Sequence, residues 1–147
     1  MKGRKRHIVV DTLGLIHGLK VHAGDIQDRD GAKLVLEPLI GTLPRFERLW
    51  GDGGYAGQLV GWVRERTGWD LEIVKRTDDM RGFVLLPKRW VVERTFAWQG
   101  RYRRHSRDYE RRTDSSESMI RISSLHLMLR RLAPQKSTPA FCYRTAA

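Results

Sequence analysis

Two acidic residues lie in settings that suit chemistry on a phosphate or a metal ion, and the first of them is Asp52. It follows a short apolar run and precedes paired glycines in the segment LWGDGGYAG (49–57). A carboxylate at the end of a strand, beside glycines that let the backbone approach a ligand closely, can face a metal or a phosphate. Because Asp-Gly is also a common turn dipeptide, a purely local turn role for Asp52 stays open.

The second acidic candidate is Glu93, in the segment RWVVERTFAW (89–98). Arg89 precedes it by four residues, which on a helix places the two charges side by side. Exposed ion pairs of this kind are routine and contribute roughly 0.3–0.5 kcal/mol. From its position alone, Glu93 is therefore either half of a surface ion pair or part of a site.

The first elements predicted along the chain are a hairpin and a helix. Two β-rich runs, 5–11 and 15–23, are separated by Thr12-Leu-Gly14, the spacing of paired strands. A helix follows, with Asp28 or Asp30 as its cap. Its apolar face consists of Ala32, Val35, Leu36, Leu39 and Ile40, which recur at helical spacing.

The middle of the chain predicts a partly parallel sheet. A strand over 45–51 leads into the glycines after Asp52, and an amphipathic helix then runs to about Thr67. Strand, glycine turn and helix form a βα unit, which is typical of parallel pairing. Further strands are predicted at 71–76 and 83–86.

The last third of the chain predicts two helices. The first is long and very basic, from Lys88 to about Arg112. The second begins at Asp114-Ser-Ser-Glu117, which is typical of a capping box. Its predicted buried face is an apolar stripe of Ile122, Leu125, Met128, Leu129 and Leu132. We expect residues 134–147 to be a disordered tail.

Composition favours a polyanionic partner. The 147 residues include 28 Lys+Arg against 17 Asp+Glu, a formal charge of +11. DNA or RNA is the usual partner for such a charge, because each cation that neutralises a phosphate releases counterions. An anionic membrane would also be attracted, but no apolar run approaches the roughly 20 residues of a spanning helix. We therefore expect no membrane partner and a cytoplasmic location.

Cysteine and histidine add no metal site. The only cysteine, Cys142, lies near the end of the chain, which excludes an intrachain disulfide and a cysteine-based zinc site. The five histidines show no metal-ligand spacing. We expect them to be solvated or packed.

Two basic clusters are the candidate phosphate contacts. Near the start these are Lys2, Arg4, Lys5 and Arg6, and on the predicted basic helix they are Arg94, Arg101, Arg103, Arg104 and Arg107. Interleaving with Trp98 and Tyr102 suits backbone contacts with some base stacking. A solvated helix face is the alternative for the second cluster. Phosphate contacts position DNA without reading its sequence.

Several long motifs occur together in a characteristic order. They are KGRKRHIVVDTLG, HAGDIQDRDGA, LWGDGGYAG, LEIVKR and GFVLLPKRWVVERTFAWQGRYRRHSRDYE. From Lys2 to about Leu132 the chain closely resembles the catalytic domain of bacterial insertion-sequence transposases of the DDE class. The resemblance implies a ribonuclease H-like fold, a mixed sheet flanked by helices, with residues 1–133 as part of that domain. It also implies that Asp52 and Glu93 are two of three catalytic, metal-binding carboxylates.

The implied chemistry is strand cleavage and transfer at transposon ends. Three carboxylates can hold two Mg²⁺ ions, or Mn²⁺ in their place, on either side of an in-line phosphodiester displacement. In the family's signature an Arg precedes the Glu by four residues, and Arg89 matches it as an assisting or phosphate-contacting residue. Leu86 and Gly100 replace a signature Tyr and a signature basic residue, and Arg101 is the nearest substitute for the latter.

The larger departure from the family lies at the start of the chain. There the first catalytic Asp lies on a central strand before the KGRKRH segment, and we expect that strand and its carboxylate to be missing. Asp11, on the next predicted strand, matches the VDTLG segment and not the family's first ligand. It could lie on the same sheet, so a catalytic role for it stays open as the less favoured alternative. The implied partners are DNA, a second copy or intact transposase. The expected function is an incomplete catalytic domain, either a remnant or the downstream half of a two-frame protein. The alternatives are an inactive basic fragment that interferes with or complements intact transposase, and another ribonuclease H-like nuclease.

Overall fold

The computed structural model of the chain describes residues 3–74 and 88–133, and these form a mixed α/β structure, as predicted. The predicted strand at 83–86 and the predicted tail lie outside the described residues. Among residues 3–74 and 88–133, no helix has both the length and the apolar character needed to cross a membrane. In chain order the elements are β1 (Arg4–Val10), β2 (Ile16–Ala23), α1 (Asp28–Leu36), β3 (Arg48–Gly51), α2 (Gln58–Thr67), β4 (Asp70–Ile73), α3 (Arg89–Gly100) and α4 (Thr113–Leu132).

The predicted hairpin is confirmed. Strands β1 and β2 pair antiparallel, with Arg4 opposite Ala23 and a register irregularity between Val9 and Val10. In the turn, Asp11 Oδ1 accepts hydrogen bonds from the backbone N–H groups of Leu13 and Leu15, both at 2.9 Å. Asp11 therefore acts as a turn residue, which accounts for its carboxylate without a catalytic role.

The predicted βα unit is also confirmed. Strands β3 and β4 pair in parallel, with Arg48 opposite Asp70 and Gly51 opposite Ile73, and α2 connects them. Strand β3 is shorter than the predicted run 45–51. Of the predicted run 71–76, residues 71–73 lie in β4, and residues 75–76 lie outside the described residues. In the described part of the chain each sheet has two strands, so β1 is paired along one edge with β2 and β3 along one edge with β4.

The main core lies where α1 and α2 cover the strands. Its buried residues are Val9, Ala32, Val35, Leu36, Leu39, Leu59, Val63, Trp69 and Leu71. The apolar face predicted for α1 is thus buried, apart from the exposed Ile40. The cap predicted for this helix is wrong. Gln27 is the N-cap residue, without a side-chain cap, and Asp28 and Asp30 lie in the first turn, where acidic groups favour the helix dipole.

Two stacked histidines lie beneath α1. His7 of β1 and His22 of β2 are both buried, and their ring centroids are 4.8 Å apart at an interplanar angle of 17°. Gly31 of α1 covers the pair. A Cβ atom at this position would lie 2.3 Å from Nε2 of His22 and 2.4 Å from Nε2 of His7. Only glycine lets the helix approach the hairpin this closely.

The rotation of α4 differs from the sequence prediction. Its buried residues are Ser116, Glu117, Ile120 and Ser123, whereas the predicted stripe is largely exposed, with Ile122 59% accessible. The reason is a polar contact with the hairpin. Glu117 Oε1 accepts from Val21 N–H at 3.0 Å and lies 3.2 Å from Lys20 Nζ. This contact and Ile120 turn the opposite side of the helix toward β2, and Glu117 forms no capping box.

The predicted long basic helix is wrong in extent. It ends at Gly100, and a short 3-10 helix, Arg103–His105, follows. The chain then approaches β1, where Arg4 donates to the carbonyls of Glu110 at 2.8 Å and Arg111 at 2.6 Å. These contacts with a distant strand replace helical hydrogen bonds and direct α4 toward β2.

Ile120 and Ile122 form a matched pair that tests the rotation of α4. Ile120 is 0% exposed and packs with Leu19 and Val21, so Ile120→Ala should reduce the free energy of unfolding by about 2–5 kcal/mol. Ile122→Ala should change it by no more than about 0.5 kcal/mol. Urea titrations measure both. A larger loss for Ile122→Ala than for Ile120→Ala would indicate that the predicted stripe is the buried face.

Alanine substitutions at Gly31 and, as a control, at Gly61 test the packing of α1 on the histidine pair. Gly31→Ala should reduce the free energy of unfolding by about 1–3 kcal/mol, because the new methyl group overlaps both imidazole rings. A Cβ atom added at Gly61 of α2 would meet no neighbouring group within 4 Å. Gly61→Ala should therefore stabilise the protein by about 0.5–1 kcal/mol through helix propensity. Equal effects in thermal melts would contradict the close approach at Gly31.

Candidate active site

A cavity of about 300 Å³ lies between β1 and β3. Four consecutive residues of β1, 6–9, line it, and so do the last three residues of β3, 49–51, with the Asp52 that follows them. Successive strand residues point to opposite faces of a sheet, so a run of consecutive lining residues means that the cavity faces a strand edge. The cavity therefore faces the edges of β1 and β3 that are not paired with β2 and β4.

The base and the rim of this cavity differ in polarity. Its base is formed largely by apolar core side chains of α1, α2 and β4. The polar and aromatic lining residues are Arg6, His7, Trp50, Asp52, Tyr55, Lys88, Glu93 and Phe96. The two carboxylates singled out in the sequence thus line the same cavity, although they are far apart along the chain.

Asp52 combines a turn role with a place in the cavity. It directly follows β3 and precedes a short 3-10 helix, Gly53–Tyr55, whose Gly54 N–H donates to Asp52 Oδ1 at 2.9 Å. The residue is exposed. Because the turn hydrogen bond uses one carboxylate oxygen, it restricts side-chain rotation while a second oxygen remains as a donor atom for a cation.

Asp28 is a neighbouring carboxylate that sequence reasoning assigned only to the helix start. A Cβ atom on Gly54 would lie 3.1 Å from Asp52 Oδ1 and 3.2 Å from Asp28 Oδ2, so both side chains approach the same point. Asp28 also forms a 2.9 Å ion pair with Lys5. No local signal indicates this proximity, because it depends on how α1 packs beside the turn after β3.

Tyr55 and His7 form a hydrogen-bonded pair at the cavity wall, with the Tyr55 hydroxyl 2.8 Å from His7 Nδ1. Burial, and then the nearby charges of Asp52 and Asp28, raise the pKa of Tyr55 to about 12. Burial and the adjacent His22 lower the pKa of His7 below its ordinary value. At neutral pH both groups are therefore uncharged.

Glu93 lies on the exposed side of α3 and reaches the cavity with Val92 and Phe96. Arg89 is the first residue of that helix, and its side chain lies outside the described part of the structure. Arg101 follows the end of α3, is exposed and is not among the residues that line the cavity. The predicted assisting role of Arg101 thus has no contact that supports it.

Several predicted DNA-contacting cations bind the protein itself. Arg94 has its guanidinium carbon 4.2 Å from the ring centroid of Trp90 and 4.6 Å from that of Trp98, and it donates to the Thr12 carbonyl at 2.9 Å. Lys5 donates to the Ile26 carbonyl at 2.9 Å, in addition to its ion pair with Asp28.

The other predicted contacts divide into two groups. Arg4 binds Asp108 and two backbone carbonyls, and Arg104 pairs with Glu110. Within residues 3–74 and 88–133, no hydrogen bond or ion pair involves the guanidinium groups of Arg6, Arg101, Arg103 or Arg107. These four keep their full hydrogen-bonding capacity for a phosphate, whereas Lys2 lies outside the described residues.

The cavity supplies part of a hard-metal site. Carboxylate oxygens are the ligands that Mg²⁺ and Mn²⁺ prefer, and Asp52 and Glu93 offer them at one rim. In the described part of the chain, however, no group of three or more His, Cys, Asp or Glu side chains could hold a metal ion. The residues that line the cavity are therefore of the right type to bind a divalent metal ion, but in the described part of the chain there are too few of them together to hold one.

Comparisons with known proteins agree with the resemblance seen in the sequence. A family model described as "Transposase DDE domain" matches residues 1–128. A protein of Burkholderia cepacia, whose name assigns it as a transposase for insertion sequence element IS402, is 30% identical over 131 residues. The match covers 82% of this chain and 60% of that relative, so the chain spans about 60% of the relative's length. No solved structure matches the chain.

The buried histidine beside the cavity predicts sensitivity to acid. His7 has a lowered pKa in the folded protein, so below about pH 6.5 the unfolded chain binds more protons and the free energy of unfolding falls. Urea titrations between pH 7.5 and 5.5 measure this loss. His7→Gln should reduce the pH dependence and leave a residual part from His105, whose pKa burial and Arg6 also lower.

His17→Gln is the matched control, because His17 is an exposed histidine on the same hairpin. The reduction in pH dependence should be larger in His7→Gln than in this control. An unchanged pH dependence in His7→Gln would contradict the link between the buried imidazole and acid sensitivity.

Proposed function

The chain belongs to the transposase DDE-domain family, and from that premise we propose that it acts in DNA transposition. Its part is to supply Asp52 and Glu93 to the metal-dependent cleavage and transfer of DNA strands at transposon ends. The observation that carries this proposal is the placement of both carboxylates on the rim of one cavity. The substrate would be the DNA of the element and its target, which places the activity at the bacterial nucleoid in the cytoplasm.

In the proposed site, Asp52 and Glu93 are ligands of Mg²⁺, or of Mn²⁺ in its place. When bound, such ions activate the attacking oxygen and stabilise the leaving oxygen of a phosphodiester displacement. The Gly54 N–H orients Asp52 through its 2.9 Å hydrogen bond, and α3 holds Glu93 at the same rim. Arg89, one helical turn before Glu93, would orient that carboxylate or contact a phosphate.

The third carboxylate of the site would come from an additional strand. We propose that the two sheets are parts of one ribonuclease H-like sheet, and that this strand lies in the cavity between β1 and β3. Two features support the proposal: the cavity faces one edge of each strand, and its base is apolar. An extended segment would pair with both edges and bury its apolar side chains against α1 and α2.

The proposed DNA contacts are the cations that make no hydrogen bond or ion pair within residues 3–74 and 88–133. Arg6, Arg101, Arg103 and Arg107 are in this group, whereas Arg4, Lys5, Arg94 and Arg104 already bind other parts of the chain. The contacts would be electrostatic and without sequence preference, and affinity would fall as salt rises.

A second candidate function follows from the number of carboxylates, since no group of three or more His, Cys, Asp or Glu side chains in residues 3–74 and 88–133 could hold a metal ion. Without a third carboxylate, the chain could coat DNA without cleaving it, or pair with intact transposase and inhibit or complement it. The unused basic residues favour DNA binding in either case. Activity of the purified chain separates this candidate from the first.

Nicking of supercoiled plasmid DNA in Mg²⁺ or Mn²⁺ tests the proposed function. The purified chain is assayed alone and after addition of a peptide that carries a carboxylate and could form the additional strand. The variants Asp52→Asn and Glu93→Gln are assayed in the same way. Each variant should lose at least about 100-fold in rate, because even residues that only orient a ligand contribute about 10–100-fold. Asp70→Asn is the matched control, since Asp70 is an exposed carboxylate that does not line the cavity.

The outcomes distinguish the two candidates. Nicking that depends on Asp52 and Glu93 but not on Asp70 supports a catalytic domain. Salt-dependent DNA binding without nicking, together with altered activity of intact transposase on mixing, favours the inactive fragment. A folded chain that neither binds nor nicks DNA would overturn both.

A further inference from the structure

Lys88 has an unusual backbone conformation. Among residues 3–74 and 88–133, it is the only non-glycine residue with a positive φ, at 71°. A side chain disfavours this region, and such residues persist only where surrounding contacts hold them. Lys88 directly precedes α3, so its conformation sets the direction in which the chain enters the helix that carries Glu93.

The Lys88 side chain is held over an indole. Its Nζ lies 4.0 Å from the ring centroid of Trp50, within cation–π distance. Trp50 is itself fixed, because its indole N–H donates to Glu72 Oε2 at 2.9 Å. The ammonium group thus lies over an aromatic plane on β3 that a hydrogen bond orients.

This cation and both carboxylates line the same cavity. Lys88 and Trp50 line the cavity together with Asp52 and Glu93. Lys88 is exposed, so its ammonium remains accessible, and the ring face leaves N–H groups available to an acceptor. Two carboxylates repel a phosphate, and a fixed cation beside them reduces that repulsion.

We propose that Lys88 is a phosphate-contacting residue of this site. Its ammonium, held over Trp50, binds a phosphate oxygen of the DNA strand that approaches the rim between Asp52 and Glu93. The inference rests on the proposed function, because it assumes that DNA is the ligand. It adds a contact that net charge and sequence spacing did not single out.

Salt-dependent DNA binding tests the proposal without requiring cleavage. The dissociation constant of the full chain for a short fluorescent duplex is measured by anisotropy over a range of salt concentrations. Loss of one phosphate contact lowers the slope of log affinity against log salt by about 0.9. Lys88→Gln should show this loss, whereas Lys88→Arg should keep the wild-type slope because it keeps the charge.

Lys33 provides the matched control. Its Nζ also lies over an indole, 5.9 Å from the ring centroid of Trp62, but Lys33 does not line the cavity. Lys33→Gln should retain the wild-type slope. If Lys88→Gln folds poorly, Lys88→Gly removes the same charge and suits the positive φ, so the slope is still measured.

Each result decides a different point. A slope reduced in Lys88→Gln or Lys88→Gly but not in Lys33→Gln supports the phosphate contact. An unchanged slope at Lys88, or an equal loss at Lys33, overturns it while leaving DNA binding intact. Failure of the wild-type chain to bind the duplex overturns both this inference and the proposed function.

Discussion

The backbone edges of β1 and β3 set the constraint on which the rest of the structure depends. Each strand has one edge paired in the described residues, and the other edges face the same cavity. Backbone N–H and C=O groups that are removed from water need partners, so these edges must meet either solvent or another extended segment. Asp52 directly follows β3, so its position depends on which partner forms hydrogen bonds with the backbone of that edge.

Helix α3, which carries Glu93 to this cavity, and helix α4 are both bound to the turn of the hairpin. Arg94 of α3 and Arg131 of α4 donate to carbonyls in the β1–β2 turn, at 2.9 Å to Thr12 and 3.1 Å to Leu13. Gly14 lets that turn approach closely, since a Cβ there would lie 2.8 Å from Thr95 Oγ1. Glu93 thus reaches the cavity rim because contacts on another side of α3 fix the helix. Loss of the contacts that Arg94 and Thr95 make with the turn would therefore displace Glu93, although its side chain is not part of them.

Local signals in the sequence predicted the hairpin and the βα unit. The turn after β1 and the alternation of strand, glycines and helix around Asp52 depend on residues close along the chain. The end of α3 and the rotation of α4 depend instead on Arg4 and Glu117, which bind backbone groups about a hundred residues away in sequence. The apolar stripe and the capping-box pattern of α4 are local features, so they could not indicate a contact with β2. The family resemblance assigned Asp52 and Glu93 to one site. The approach of Asp28 to Asp52 depends instead on tertiary packing.

Net charge overstates the surface available to DNA. Arg4 and Arg94 lie in the predicted basic clusters, yet their guanidinium groups bind carbonyls and aromatic rings of the protein. Moving either group to a phosphate would break these internal hydrogen bonds, and for Arg94 it would also remove the cation–π contacts with Trp90 and Trp98. In the proposed complex, the cations that remain for DNA are those without a hydrogen bond or ion pair in residues 3–74 and 88–133. Lys88 differs from them because it lies over an indole in the cavity that both carboxylates line. In that complex, position relative to the cavity would matter more than the number of basic residues.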